Sequence, residues 1–338
     1  DLVRVLAFAL VVLQHVALLY EDDAAMAGVV ATLRYLTEPS VPLFFMVSGA
    51  LVLPCREDER FGPYLRRRLA RILVPALVFT LFYIGLRRWH IGWDGITLQL
   101  LSIPFSAQQN GSLWFVYALA GLYMLVPLLS PWLRRASRGQ LQFYLLLWAV
   151  TLVLPELARW LRVDTTPQGM LYYFAGYGGY FLLGHYLRRY PPRLAAWLLP
   201  GLLALALPLL APSAALLRDL SLPTLLMSAL WFQLPRLLAP PPEASARRRA
   251  PQPRIARWAA QLSRLTYTAY LLHVFVIYSL LWNRAPLRAL APATLQMATL
   301  FLRATVAAYA LAALLSLFPK SRPLPGPQPR TPPPRTMK

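Results

Sequence analysis

The chain has 338 residues, 58% of them hydrophobic, a mean hydropathy of +0.48 and 14% charged residues. Soluble domains carry ~25% charged residues, so an ordinary water-soluble fold is excluded and an all-α polytopic membrane protein is indicated. The formal charge of +21 is almost wholly arginine, since Lys320 and Lys338 are the only lysines. That arginine lies in short segments between apolar runs, so it reads as topological charge and not as a nucleic-acid surface.

The first stretch, Asp1 to Tyr20, reads DLVRVLAFALVVLQHVALLY. Its apolar run reaches across most of a ~30 Å hydrocarbon core if helical. On a helix Arg4 and His15 differ by only ~20° after three turns, and Asp1 lies within ~60° of Arg4. The three share one stripe, with His15 ~16 Å along the axis from Arg4. Ionisable groups at membrane depth face a bundle interior or a wet cavity. Two readings fit: a polar cluster that fixes helix packing, or His15 as a general base deep in the membrane.

About ten spans follow, near 2–20, 39–55, 69–88, 113–130, 141–160, 170–187, 193–211, 216–238, 265–283 and 290–318. With the N-terminus inside, the inner loops and tail hold twenty-four basic residues and the outer loops eight. That asymmetry puts both termini in the cytoplasm. Residues 1–318 form the membrane domain, broken by a Pro-, Ala- and Arg-rich cytoplasmic linker at about 240–264. Residues 319–338 form a disordered Pro-rich cytoplasmic tail. The chain opens on Asp1 and not on Met, so residues are expected ahead of it, and the first span serves as its own insertion signal. Cys55 is the only cysteine, which leaves no internal disulfide or thiolate cluster, and no metal is expected. Trp89, Trp93, Trp132, Trp160 and Trp282 fall near span ends, as an interfacial belt requires.

Within the spans, Ser48-Gly49 in VPLFFMVSGALVLP (41–54) permits close helix approach, and Ser48 can bond across helices. Arg66, Arg67, Arg68 and Arg71 form a basic run; Arg68 and Arg71 are helical neighbours that suit phosphate or anionic lipid. Residues 112–129, SLWFVYALAGLYMLVPLL, carry Trp114, Tyr117 and Tyr123, which read as interfacial anchors or a sugar-binding wall. The Gly- and Tyr-rich stretch from Tyr172 implies close packing, with His185 at its cytoplasmic end. Tyr270 and His273 share a face of YTAYLLHVFVI (267–277), and His273 can orient substrate, accept a hydrogen bond or be structural. Arg303 is an intramembrane cation.

Together these stretches resemble the acyltransferase 3 family of bacterial inner-membrane acyltransferases. The likeness rests on Arg4-x10-His15 with Asp1 ahead of it, FFMVSG at 44–49, Arg68-x-x-Arg71, SLWFVYAL at 112–119 and YLLH at 270–273. The 112–119 motif lacks the acidic residue of many members and is similar to the subgroup that includes the enterobacterial common antigen O-acetyltransferase. The resemblance implies transfer of an acyl group, usually acetyl from acetyl-CoA, to a hydroxyl of an envelope glycan or glycolipid. It implies His15 as the base. Arg4, Arg67, Arg68 and Arg71 would bind the phosphates of coenzyme A, with Asp1, Ser48, Trp114, Tyr270 and His273 in support. His15 and the cations beneath it are then expected to line one tunnel. Oligomerisation is left open. A multi-span transporter or flippase is the alternative, and a non-catalytic partner of a glycan assembly machine is the third reading.

Overall fold

The computed structural model describes residues 1–104, 113–164, 169–192, 195–210, 220–236, 254–282 and 292–317, and these are helical, with no strand among them. In chain order the helices are α1 (Leu2–Leu18), α2 (Ala27–Thr37), α3 (Ser40–Val52), α4 (Phe61–Ser102) and α5 (Trp114–Arg135). They continue with α6 (Arg138–Leu161), α7 (Gly178–Arg189), α8 (Ala195–Leu210), α9 (Leu222–Gln233), α10 (Arg254–Val274) and α11 (Ala293–Ser316).

Among the described residues six segments are long and apolar enough to cross a bilayer: Ala24–Val52, Phe61–Leu86, Trp114–Arg135, Arg138–Leu161, Arg254–Trp282 and Ala293–Ser316. Leu2–Leu18 and Ala196–Pro208 are shorter apolar helices. The expected spans therefore differ from the observed helices in identifiable ways. Residues 27–37, expected in an outer loop, form α2. α7 and α9 are only 12 residues each, about 18 Å of rise, and most of their side chains are buried. Helices held inside a bundle meet other helices instead of lipid, so they need neither the length nor the hydropathy of a span. α10 begins at Arg254, so the second half of the expected linker is helix. Residues 237–253 and the tail 319–338 lie outside the described residues. Trp93 and Trp160 are more than three-quarters exposed, as interfacial anchors would be, and Arg303 lies on the exposed side of α11.

α1 sits among α2, α3, α10 and α11. Its Ala7, Phe8, Val12 and Val16 are fully buried, so the first helix of the chain is also its core. α3 and α7 make the tightest pair, and the sequence shows why. A Cβ on Gly49 would lie 1.8 Å from the Phe181 carbonyl oxygen, and one on Gly184 1.9 Å from that of Met46. Glycine alone lets the two backbones touch. On the other side of α7, Gly179 lies against the Trp148 ring, whose indole N–H donates to the Gly176 carbonyl at 2.9 Å.

The C-terminal end of α3 is tied down by side-chain donors. Arg188 donates to the Ala50 carbonyl at 2.5 Å, His185 Nδ1 to that of Leu53 at 3.1 Å and Arg134 to that of Cys55 at 2.9 Å. Unpaired carbonyls and the negative end of the helix dipole both call for such partners. His185 thus has a structural role.

Because the obstructing atoms at Gly49 and Gly184 are backbone, no rotamer change relieves the clash. Gly49→Ala and Gly184→Ala are each expected to cost about 1–3 kcal/mol or more. A thermal melt of detergent-solubilised protein checks this, with Gly85→Ala, where a Cβ meets nothing within 4 Å, as the neutral control.

Candidate functional site

The two ionisable groups of α1 both lie against α10. The Arg4 guanidinium donates to the Ser263 hydroxyl at 3.3 Å and stands 3.9 Å from the Asp1 carboxylate. Eleven residues on, the His15 ring lies 4.9 Å from the His273 ring, ten residues beyond Ser263. Matched intervals of this kind mean that α1 and α10 run side by side in the same direction, with Arg4 and His15 about 16 Å apart along the pair. α4 lies against α10 as well: Tyr267 donates to the Ile72 carbonyl at 2.5 Å, and Tyr83 to that of Leu271 at 3.0 Å.

At the Arg4 end the helices leave a cavity of about 130 Å³. Arg4, Arg68 and Arg71 line it, with exposed Arg264 at its rim. The hydroxyl-bearing residues Ser48, Tyr123, Ser263, Thr266, Tyr267 and Tyr270 also line it. Tyr123 is a hydrogen-bond partner of Ser48 and lies near enough to Arg4, Arg68 and Arg71 to feel all three charges. Arg68 also covers the face of Tyr64 at 5.7 Å. No carboxylate lines the cavity among the described residues. Guanidinium groups gathered in a space of low dielectric, with only the loose Asp1 contact to balance them, make a strong seat for a multiply charged oxyanion. The volume suits a phosphate group and not a whole nucleotide.

The far side of the cavity is closed by rings. Phe44, Phe115 and Tyr270 meet one another at centroid separations of 5.6 to 5.9 Å. Behind Tyr270 lies His273, 5.2 Å away, and behind that His15. His15 is not among the lining residues, so the cavity does not run on to it as the expected single tunnel would; the aromatic rings stand between them. Helical periodicity correctly places Arg4 and His15 on one stripe. It carries no information about side chains from α3, α5 and α10 that fill the interval.

His273 is wholly buried, and its Nδ1 donates to the Tyr270 carbonyl. Directly after it the helix changes hand-hold. The Tyr83 hydroxyl from α4 accepts from the Phe275 N–H at 3.1 Å and donates to the Leu271 carbonyl. Those two groups would bond each other in an unbroken α-helix. The inserted hydroxyl opens the ladder, and residues Phe275–Trp282 continue as π-helix.

Of the other expected site residues, Ser48 and Tyr270 line the cavity, and Asp1 stands beside Arg4. Arg67 is not brought to it; exposed on α4, it pairs with Glu59. Trp114 packs on Tyr177, away from the cations. Ser263 and Arg264 were not expected there, because their stretch reads as linker, and Thr266, at the start of the ninth expected span, was not singled out. The signal was available: Ser263, Thr266, Tyr267, Tyr270 and His273 recur at intervals of three and four, a continuous polar face on α10. Among the described residues no group of three His, Cys, Asp or Glu side chains could share a metal ion.

Comparison with known proteins adds the family. Searches of curated proteins and of solved structures return no match. The family model described as an acyltransferase domain, acyltransferase 3, matches residues 1–317, which takes in every described helix. This membrane-helical chain therefore belongs to the acyltransferase 3 family.

Proposed function

We propose that the protein transfers an acyl group, acetyl in the first instance, from an acyl-coenzyme A to a hydroxyl of a cell-envelope glycan or glycolipid in the bacterial inner membrane. The observation that carries this reading is the convergence of Arg4, Arg68 and Arg71, with Arg264 at the rim, on one cavity of a helix pair whose other end holds His15 and His273. Both termini and the arginine-rich end face the cytoplasm in this reading, where the donor is found. The guanidinium groups hold donor phosphates, and the nucleotide rests at the cavity mouth. The pantetheine arm spans the ~16 Å to His15, displacing the layer of Phe44, Phe115 and Tyr270 as it passes. In the absence of donor that layer keeps water from the reaction centre.

His15 takes the proton from the acceptor hydroxyl while its oxygen bonds to the thioester carbonyl carbon. The carbon–sulfur bond then breaks, the acyl ester departs, and the coenzyme A thiolate recovers the proton from the imidazolium. Every proton and electron pair is accounted for within donor, acceptor and one imidazole. Two acyl acceptor classes fit equally, free glycan and lipid-linked glycan, and the likeness to sugar-modifying family members supports both.

In vesicles given radiolabelled acetyl-CoA and an envelope glycan extract, label is expected to become covalently attached to glycan. His15→Ala lowers that transfer by about 10²–10⁴-fold while donor binding persists. Arg68→Ala and Arg71→Ala each remove a charge-assisted contact of about 1.5–3 kcal/mol and raise the donor KM roughly tenfold or more, with kcat less affected. Movement of glycan across the membrane without covalent label would support the transporter reading instead.

A further inference from the structure

His273 has one ring nitrogen accounted for and one stranded. A carbonyl oxygen can only accept, so Nδ1 carries the proton that goes to Tyr270, and Nε2 of the neutral ring is left with a lone pair. That Nε2 is buried with no hydrogen-bond partner. A stranded acceptor in an apolar bundle costs about 1–3 kcal/mol. Phe8, one of the rings packed on His273, has no donor to offer it. His15 does. Two imidazoles joined by an N–H···N bond of about 2.9 Å have centroids about 5 Å apart, and these two stand 4.9 Å apart at 56°. With His273 held by its Nδ1–Tyr270 bond, the pairing needs the His15 ring to turn about χ2 until its N–H meets Nε2.

We propose that His273 is the positioning residue for His15: its Nε2 accepts the His15 N–H, which fixes the His15 tautomer and leaves the other His15 nitrogen as a lone pair directed at the acceptor hydroxyl. The arrangement is a base oriented by a third group, with a neutral imidazole in the place a carboxylate usually takes. The neutral partner suits a wholly buried position, where a lone carboxylate would be far more costly. The Tyr83 hydroxyl, by opening the ladder between Leu271 and Phe275, sets the pitch of the turn that carries His273. The inference rests on the reading of His15 as the base, but its structural half can be tested apart from it.

The chain has only four histidines, so ¹⁵N-histidine spectra of the full protein in nanodiscs can be assigned with His90→Gln and His185→Gln. The wild type is expected to show His273 protonated at Nδ1 and His15 in one tautomer. His273→Leu should turn His15 into a tautomeric mixture and lower kcat for acetyl transfer about 10–100-fold, with donor KM changed less than about twofold. His273→Gln, which restores an acceptor, should recover most of the kcat and the single tautomer. The pairing is overturned if His15 keeps the same tautomer in His273→Leu, or if Gln and Leu are equally impaired. Should His15→Ala retain transfer, the assignment of the base fails, while the spectra still report whether the two rings are joined.

Discussion

An arginine and an imidazole on a helix packed among Val, Ala and Phe must find their partners inside the bundle, because water is not there to solvate them. In this protein both lie against one neighbour. α10 sets Ser263 against Arg4 and the His273 ring against that of His15, and the similar spacing, eleven residues on α1 and ten on α10, keeps the two helices side by side. The remaining helices dispose themselves around that pair. α4 brings Arg68 and Arg71 to the Arg4 end and Tyr83 to the His273 end, and α3 reaches α1 with its other face pressed by glycine onto α7.

The consequence is a division of labour along one axis. Charge is concentrated at the arginine end, where Arg4, Arg68 and Arg71 line, and Arg264 rims, a cavity that no carboxylate among the described residues lines. The middle is aromatic. The histidine end has two imidazoles and almost no charge. A thioester donor has the same polarity: a polyanionic nucleotide, a long arm of low charge and a reactive acyl carbon. In the proposed reaction each part of the donor meets the part of the protein built for it, and the aromatic layer holds the reactive end away from water until the arm arrives.

How far the residues alone disclose this differs from feature to feature. The Arg4–His15 stripe, the glycine approach at Gly49 and the pairing of Arg68 with Arg71 follow from helical periodicity and from residue chemistry, and each stands in the structure. The helix α2 and the early start of α10 were hidden, since polar or basic residues near a membrane face look alike in a loop and on a helix. Arg264 was absorbed into the topological charge for that reason. The aromatic layer could not have been found by periodicity, because Phe44, Phe115 and Tyr270 come from three helices far apart in the chain. Arg67 shows how neighbours in sequence part on a helix: ~100° around from Arg68, it pairs with Glu59 and does not line the cavity.

Direct observation of the donor in place would be decisive. Cryo-electron microscopy of the protein in nanodiscs with a non-transferable acetyl-CoA analogue should show phosphate density against Arg4, Arg68 and Arg71, the Tyr270 ring displaced, and the acyl carbon within about 4 Å of a His15 nitrogen. Density seated elsewhere, or an arm that stops short of an intact aromatic layer, would contradict the division of the site described above.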